Sequence, residues 1–172
     1  MKLRATLSIV ASLLLASCAN SNQLSKIVQT LNVQPATGKP TTVIAPQKAV
    51  DFSATATRLN SFVETEVHSQ TVKSLEDFGR FGSPKEHGAD ATVVFDSIRH
   101  GVTLVSSEQY APIVEAVVRV IGTDGKSLAR RSQSATSGEL HTLEEYVQNP
   151  ELYREGISIA VKKLGMEIAG GL

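Results

Sequence analysis

The chain has 172 residues, enough for one domain plus a targeting segment, and its 41% hydrophobic and 20% charged residues are typical of a globular protein. Lys+Arg and Asp+Glu balance at 17 each. No basic surplus is therefore available to hold a polyanion, and we expect no nucleic-acid partner. A single cysteine excludes an intrachain disulfide framework and any metal site built from several cysteines.

The N-terminus has the layout of a secretory signal. Lys2 and Arg4 precede residues 5–17 (ATLSIVASLLLAS), an apolar stretch without charge. A helix needs about 20 apolar residues to span a bilayer, whereas the core of a signal peptide needs about 7–15. The stretch fits the second length, and it leads directly to the only cysteine, Cys18.

The residues around this cysteine carry a resemblance. Leu15-Ala16-Ser17-Cys18 resembles the bacterial lipobox, in which a branched apolar residue and two small residues precede a cysteine. The resemblance implies that Cys18 receives a diacylglycerol on its sulfur, that a signal peptidase cuts before it, and that the new amino group is acylated. Position 19 is Ala19, not the aspartate that retains Gram-negative lipoproteins in the inner membrane, which favours the outer membrane. The alternatives are the inner membrane, or ordinary secretion with cleavage near Ala19 and loss of the cysteine.

These features predict a domain order. Residues 1–17 are interpreted as the lipoprotein signal peptide, 18–39 as a lipidated tether, and 40–172 as a single periplasmic domain. Residues 34–48 contain three prolines, which disfavour a helix. Between two of these prolines, residues 41–45 (TTVIA) predict a short strand at a sheet edge.

Two regions indicate helices. From Ser53 to about residue 80, apolar residues recur at helical spacing but the phase slips, which leaves open one irregular helix, two helices, or a strand over part of the region. Near the C-terminus, Thr142 and Glu145 fit a capping box, and Asn149-Pro150 is typical of a further helix start. The predicted apolar face of that last helix consists of Leu152, Ile157, Ala160, Val161, Leu164 and Ile168.

The middle of the chain indicates a sheet. Residues 91–98 (ATVVFDSI) predict a buried strand, and 101–106 (GVTLVS) are interpreted as a second strand that pairs with it. Residues 112–122 alternate and are half apolar on the second face, which predicts a central strand. Asp124-Gly125 then predicts a hairpin turn to a return strand. The fold class is therefore α+β, with a small mixed sheet of about four strands, an antiparallel hairpin, and packing helices that include a C-terminal one.

The pattern of residues 88–168 carries a second resemblance. A Gly-Ala-Asp entering a strand, an Asp-Gly hairpin and a long C-terminal helix look like small periplasmic lipoprotein domains of the curli-secretion and penicillin-binding-protein-activator type. That resemblance implies an assembly or partner-binding module and not an enzyme. It rests on pattern, so it implies no functional residue.

Four residues have the composition of a metal or catalytic site, namely His87, Asp90, Asp96 and His100. None has the His-x-x-x-His spacing that places two imidazoles on one helix face. We interpret His87 and His100 as solvated loop residues at either end of strand 91–98. We therefore predict no metal site, no cofactor and no catalytic residue.

Together these patterns predict a lipid-anchored, non-enzymatic binding or assembly module of the cell envelope, with an envelope protein as partner. The alternative is a periplasmic hydrolase or metal-dependent enzyme, which would need the four residues above to meet in one pocket. His68 and His141 have no partner by sequence. Arg130 and Arg131 place one arginine on each face of an outer strand, which is typical of a protected sheet edge.

Overall fold

The structure is a computed structural model, and it has the predicted α+β fold. The residues that it describes are 24–36, 41–47, 49–82 and 88–172. Residues 1–17 (the predicted signal peptide), Cys18 and His87 lie outside these ranges. The strands and helices are, in chain order, β1 (Leu31–Val33), β2 (Thr41–Ile44), α1 (Val50–Thr57), α2 (Asn60–Phe78), β3 (Ala91–Ser106), β4 (Gln109–Gly122), β5 (Ser127–Thr136), α3 (Leu143–Gln148) and α4 (Pro150–Gly171).

Within the described residues the sheet has five strands, in agreement with the predicted mixed sheet of about four. β3, β4 and β5 form an antiparallel meander, and β1 and β2 both pair in parallel with the remaining edge of β3. β4 is therefore central and β2 lies at an edge, as predicted. Alternate residues of β4 are buried in the same core as the helices, whereas Glu115 and Arg119 between them are only partly buried. The helices thus cover one face of the sheet.

β3 corrects two expectations. Residues 91–98 and 101–106 do not pair with each other, because both belong to this single 16-residue strand. Gly101 does not make a turn; it lies beside Ile44 of β2, and a Cβ at position 101 would overlap the Ile44 carbonyl oxygen. The glycine therefore allows the backbone of β2 to approach closely. His100 accordingly lies inside a strand and not in a loop.

The hairpin at Asp124-Gly125 is confirmed. Gly125 has a φ of +78°, in the left-handed region, and its N–H donates to the Gly122 carbonyl at 2.9 Å. The Asp124 carboxylate accepts from the backbone N–H of Lys126 at 3.0 Å, which stabilises the turn locally. β5 follows as the predicted return strand and forms the outer edge of the sheet.

The helices resolve the alternatives left open by the sequence. Residues 50–78 form two helices, α1 and α2, and the strand interpretation of part of this region is wrong. At the C-terminus, the capping box of Thr142 and Glu145 is formed. α4 begins at Pro150, as predicted, although the side chain of Asn149 makes no capping hydrogen bond. Its predicted apolar face is buried except for the half-buried Leu152.

The stretch 24–36, which the sequence interpretation places in the tether, packs into the core. Leu24, Val28, Leu31 and Val33 are each at most 9% exposed. β1 is only three residues long and pairs with the start of β3, which lies far away in sequence. So short a strand leaves no alternating pattern to detect, and the folded part extends beyond the boundary expected at residue 40.

We expect Gly125→Val to lower the free energy of unfolding by more than about 1 kcal/mol, because a β-branched residue is strained at positive φ. Urea unfolding followed by circular dichroism measures the change. Gly125→Asn is the matched control, since asparagine enters the left-handed region more readily. An unchanged melting temperature for the valine variant would count against this account of the turn.

Candidate functional site

His100 is the most deeply buried of the candidate residues that the structure describes. It lies in β3 with 0% exposure, and its ring makes two hydrogen-bond contacts of 2.8 Å. Nδ1 faces the hydroxyl of Tyr153 on α4, and Nε2 faces the amide oxygen of Asn60 at the start of α2. The expectation of a solvated histidine at position 100 is therefore wrong.

The partners of His100 define its protonation. The Asn60 amide nitrogen donates to the Thr41 carbonyl at 3.3 Å, so its oxygen faces the imidazole and accepts from Nε2–H. Nδ1 is then unprotonated and accepts from the Tyr153 hydroxyl. Burial lowers the pKa of His100 from 6.5 to about 4, which keeps the ring neutral at physiological pH. His100 is therefore a neutral imidazole whose two ring nitrogens are both hydrogen-bonded, and its role is structural.

Asp90 is also engaged in the fold. One of its carboxylate oxygens accepts from the backbone N–H groups of Gln29 and Thr30 at 3.0 and 2.9 Å and from the Thr30 hydroxyl at 3.0 Å. Its own N–H donates to the Thr30 hydroxyl oxygen at 2.9 Å. Asp90 therefore ties the segment before β1 to the start of β3.

Asp96 lies on the opposite face of the sheet from His100. It occupies a bulge in β3, where the pairing with β4 shifts between Phe95 and Ser97. Its two carboxylate oxygens accept from Arg119 Nε at 2.7 and 2.8 Å, and Arg130 Nε lies 3.4 Å away. Arg119 projects from the uncovered face of β4, whereas His100 faces the helices. The structure therefore does not bring Asp96 and His100 together.

The other candidates are separate as well. His68 Nε2 contacts the Val33 carbonyl oxygen at 3.0 Å, and His141 Nδ1 lies 3.8 Å from a carboxylate oxygen of Glu145. Within the described ranges, no three or more His, Cys, Asp or Glu side chains are grouped to hold a metal ion. In the same ranges, no helix is long and apolar enough to cross a membrane.

A groove between α1 and α3 has the form of a binding site. Its volume is about 310 Å³, compared with about 90 and 150 Å³ for two smaller cavities elsewhere. Val50 and Phe52 of α1 and Leu143 and Val147 of α3 provide its apolar lining, and the carboxylates of Asp51 and Glu144 lie among them. Both carboxylate residues are exposed.

A cluster of three aromatic rings lies at the floor of this groove. Phe52 is 1% exposed, and its ring centroid lies 5.0 Å from that of Tyr153 and 6.2 Å from that of Tyr146. The two tyrosine rings are 5.7 Å apart and nearly perpendicular. Burial, together with the nearby Glu139 and Glu145 carboxylates, raises the pKa of Tyr146 to about 12. The floor is thus packed like a core, and acidic groups surround it.

No protein-family model matches the chain, and no curated protein does. Among solved structures, the chain is similar to a minor lipoprotein from Acinetobacter baumannii, with 13% identity, a TM-score of 0.46, and 79% of this chain and 91% of that chain covered. It is also similar to the PelC dodecamer from Paraburkholderia phytofirmans, with 12% identity, a TM-score of 0.42, and 84% and 87% covered. A third is protein XCC0632 of the DUF330 family from Xanthomonas campestris, with 16% identity, a TM-score of 0.45, and 83% and 82% covered. At these identities and TM-scores the likeness carries no argument about function.

Sequence reasoning missed the partners of His100 and the groove. Asn60 and Tyr153 are 40 and 53 residues away from His100 in sequence, so no local spacing connects them to it. The groove lining comes from two helices that are far apart in the chain. The sequence does contain one indication of the aromatic cluster. Tyr146 and Tyr153 lie seven residues apart, at helical spacing, in a chain that has only three tyrosines.

We expect the wild-type protein to lose about 2 kcal/mol of stability between pH 7 and pH 5 through His100 alone. Its pKa is about 4 when folded and 6.5 as the ordinary value. The unfolded state therefore binds the proton first, and this stability is fully present above pH 6.5 and declines as the pH falls towards 4.

Urea unfolding at pH 7, 6 and 5 measures this effect. His100→Gln is the comparison, because glutamine can hydrogen-bond but does not titrate. The wild type should lose more stability than this variant over the range, and equal pH dependence of the two proteins would contradict the neutral buried imidazole. His68→Gln serves as the control for a histidine whose substitution leaves the buried network intact.

Proposed function

We propose that the protein is a bacterial lipoprotein anchored through Cys18 to the periplasmic face of the outer membrane, where its folded domain acts as a non-enzymatic binding or assembly module. The observation that carries the proposal is the sequence Leu15-Ala16-Ser17-Cys18 at the end of an apolar stretch of signal-peptide length. A lone thiol is a liability in an oxidising compartment, and a thioether-linked lipid removes it.

The physical chemistry of anchoring supports this assignment. One acyl chain binds a membrane only marginally, whereas the two or three chains of a lipoprotein hold it stably, at about 0.8 kcal/mol per buried methylene. Ala19 supports the outer membrane over the inner one, as argued from the sequence.

The dispersal of polar groups supports a binding module over a hydrolase. Asp90 and Asp96 each bind structural partners, and His100 is enclosed between two helices and a strand. Asp90 and His100 are ten residues apart along one extended strand, a separation on the order of 30 Å. An active site would need such groups to converge on one substrate atom.

We expect radiolabelled palmitate to enter the wild-type protein and not Cys18→Ser, because the thioether-linked lipid needs the sulfur. Fractionation of the labelled cells should place the wild type with the outer membrane. Ser12→Ala, a change within the apolar stretch, is the control and should label normally. Labelling of both the wild type and Cys18→Ser, or of neither, would refute the anchor.

A second experiment distinguishes the binding module from the enzyme. A pull-down from detergent-solubilised envelope should recover a specific partner protein with the wild type, and the bound metal content after dialysis should be well below one ion per chain. A stoichiometric metal that is lost in His87→Ala would instead favour the metal-dependent enzyme. His68→Ala is the matched control for loss of a histidine.

A further inference from the structure

We propose that the groove between α1 and α3 is the docking site for an apolar segment of a partner protein that carries a lysine or arginine. The inference rests on the proposed function, since it names the surface and the chemistry through which a binding module would take its partner. Three features of the groove carry it, namely its apolar lining, its charge, and the exposed start of α1.

The lining is apolar and open. Val50 is 74% exposed, and Leu143 and Val147 are only partly buried, although all three lie above the buried ring of Phe52. The tip of the β3–β4 hairpin extends the apolar surface at this end of the molecule, where Leu104 is 60% exposed. Because Leu104 pairs with Tyr110, and Tyr110 bridges to the segment before α3, the hairpin tip and the groove belong to the same end.

The negative charge of the groove favours a partner with a basic side chain. Asp51 and Glu144 contribute two exposed carboxylates to the lining, and none of the lining residues in the described part of the chain is basic. Glu139 and Glu145 lie near the tyrosine beneath, as their effect on its pKa indicates. A ligand that buries apolar side chains here meets a negative rim, so a cationic group on the same ligand is favoured and an anionic one is repelled.

The start of α1 favours a peptide over a small apolar cation. The N-cap residue is Ala49, which has no side-chain acceptor, and the first-turn N–H groups have no partner within the helix. These N–H groups belong to residues that line the groove, so a bound peptide whose carbonyl oxygens reach them can accept from them. An extended peptide segment can therefore contact the apolar lining, place a basic side chain near the carboxylates, and accept hydrogen bonds from the backbone N–H groups.

Two matched peptides test the proposal, acetyl-Ala-Leu-Lys-Leu-amide and acetyl-Ala-Leu-Glu-Leu-amide, which differ only in the charge of one side chain. Methyl NMR of the whole secreted domain should show saturable shifts of Val50, Leu143 and Val147 with the lysine peptide. We expect the glutamate peptide to bind roughly fivefold more weakly or worse, since exposed ion pairs are modest individually. Equal binding of both peptides, or no shift with either, would overturn the proposal.

Substitutions provide the matched controls. Asp51→Asn combined with Glu144→Gln should remove most of the preference for the lysine peptide while the apolar contacts remain. Asp77→Asn combined with Glu167→Gln removes the same two charge types from exposed positions near the other end of α4 and should leave the preference unchanged. Loss of the preference in the second pair only, or in both pairs equally, would contradict the assignment.

A crosslinking experiment separates this inference from the proposed function. A photoreactive residue is placed at Val50 in the groove or at Met166, which is 46% exposed on α4, in cells that make the native protein. A discrete adduct at Val50 whose yield falls severalfold in the Asp51→Asn, Glu144→Gln background supports the groove. A discrete adduct at Met166 alone leaves a partner-binding module but overturns the groove, and an adduct with a second copy of this chain or with lipid overturns it as well. Absence of adducts at both positions contradicts a bound partner at either surface.

Discussion

A neutral histidine in the core joins four elements of the fold. His100 in β3 contacts α4 through Tyr153 and α2 through Asn60, and Asn60 in turn binds the Thr41 carbonyl in β2. A buried polar side chain destabilises a protein by several kcal/mol when its hydrogen bonds are not formed. The His100 ring therefore has both of its hydrogen-bond partners only when β3, α2 and α4 are packed together. The edge strand β2 is only partly buried, and two hydrogen bonds hold it to α2, one from the Asn60 amide to the Thr41 carbonyl and one from the Thr41 hydroxyl to the Glu64 carboxylate.

Contacts along its whole length hold the long strand β3 in place. The strand is held at its start by Asp90 and β1, in its middle by β2 and His100, and along its whole length by β4. Its other face carries the Asp96–Arg119 pair, which is partly exposed and contributes little stability compared with the buried side. One face of β3 is therefore buried against the helices, where polar groups must be hydrogen-bonded, and the other face is partly exposed, where charged side chains remain solvated.

How far the sequence predicts this structure depends on how local each signal is. β4, its hairpin at Gly125 and the capping box at Thr142 are confirmed because each depends on a few consecutive residues. The prediction divides β3 at Arg99-His100, where polar residues interrupt the apolar pattern, because the hydrogen bonds of the buried His100 and the pairing with β2 join residues that are distant in sequence. β1 and the partners of His100 depend on pairings across 40 to 60 residues, which no local pattern records. The groove is missed for the same reason, since its two walls are distant in sequence.

The position of Cys18 in the chain determines which end of the domain would lie near the membrane in the proposed function. Leu24 is already part of the core, so only residues 19–23 separate it from Cys18, a reach of at most about 20 Å. The segment that follows Leu24 runs to β1, beside the first residues of β3, whereas the groove lies near Leu104 at the other end of that strand. Thirteen residues of extended chain separate these ends, on the order of 40 Å. A lipid on Cys18 would therefore hold the β1 end near the membrane and leave the acidic, apolar groove directed towards partners in the surrounding space.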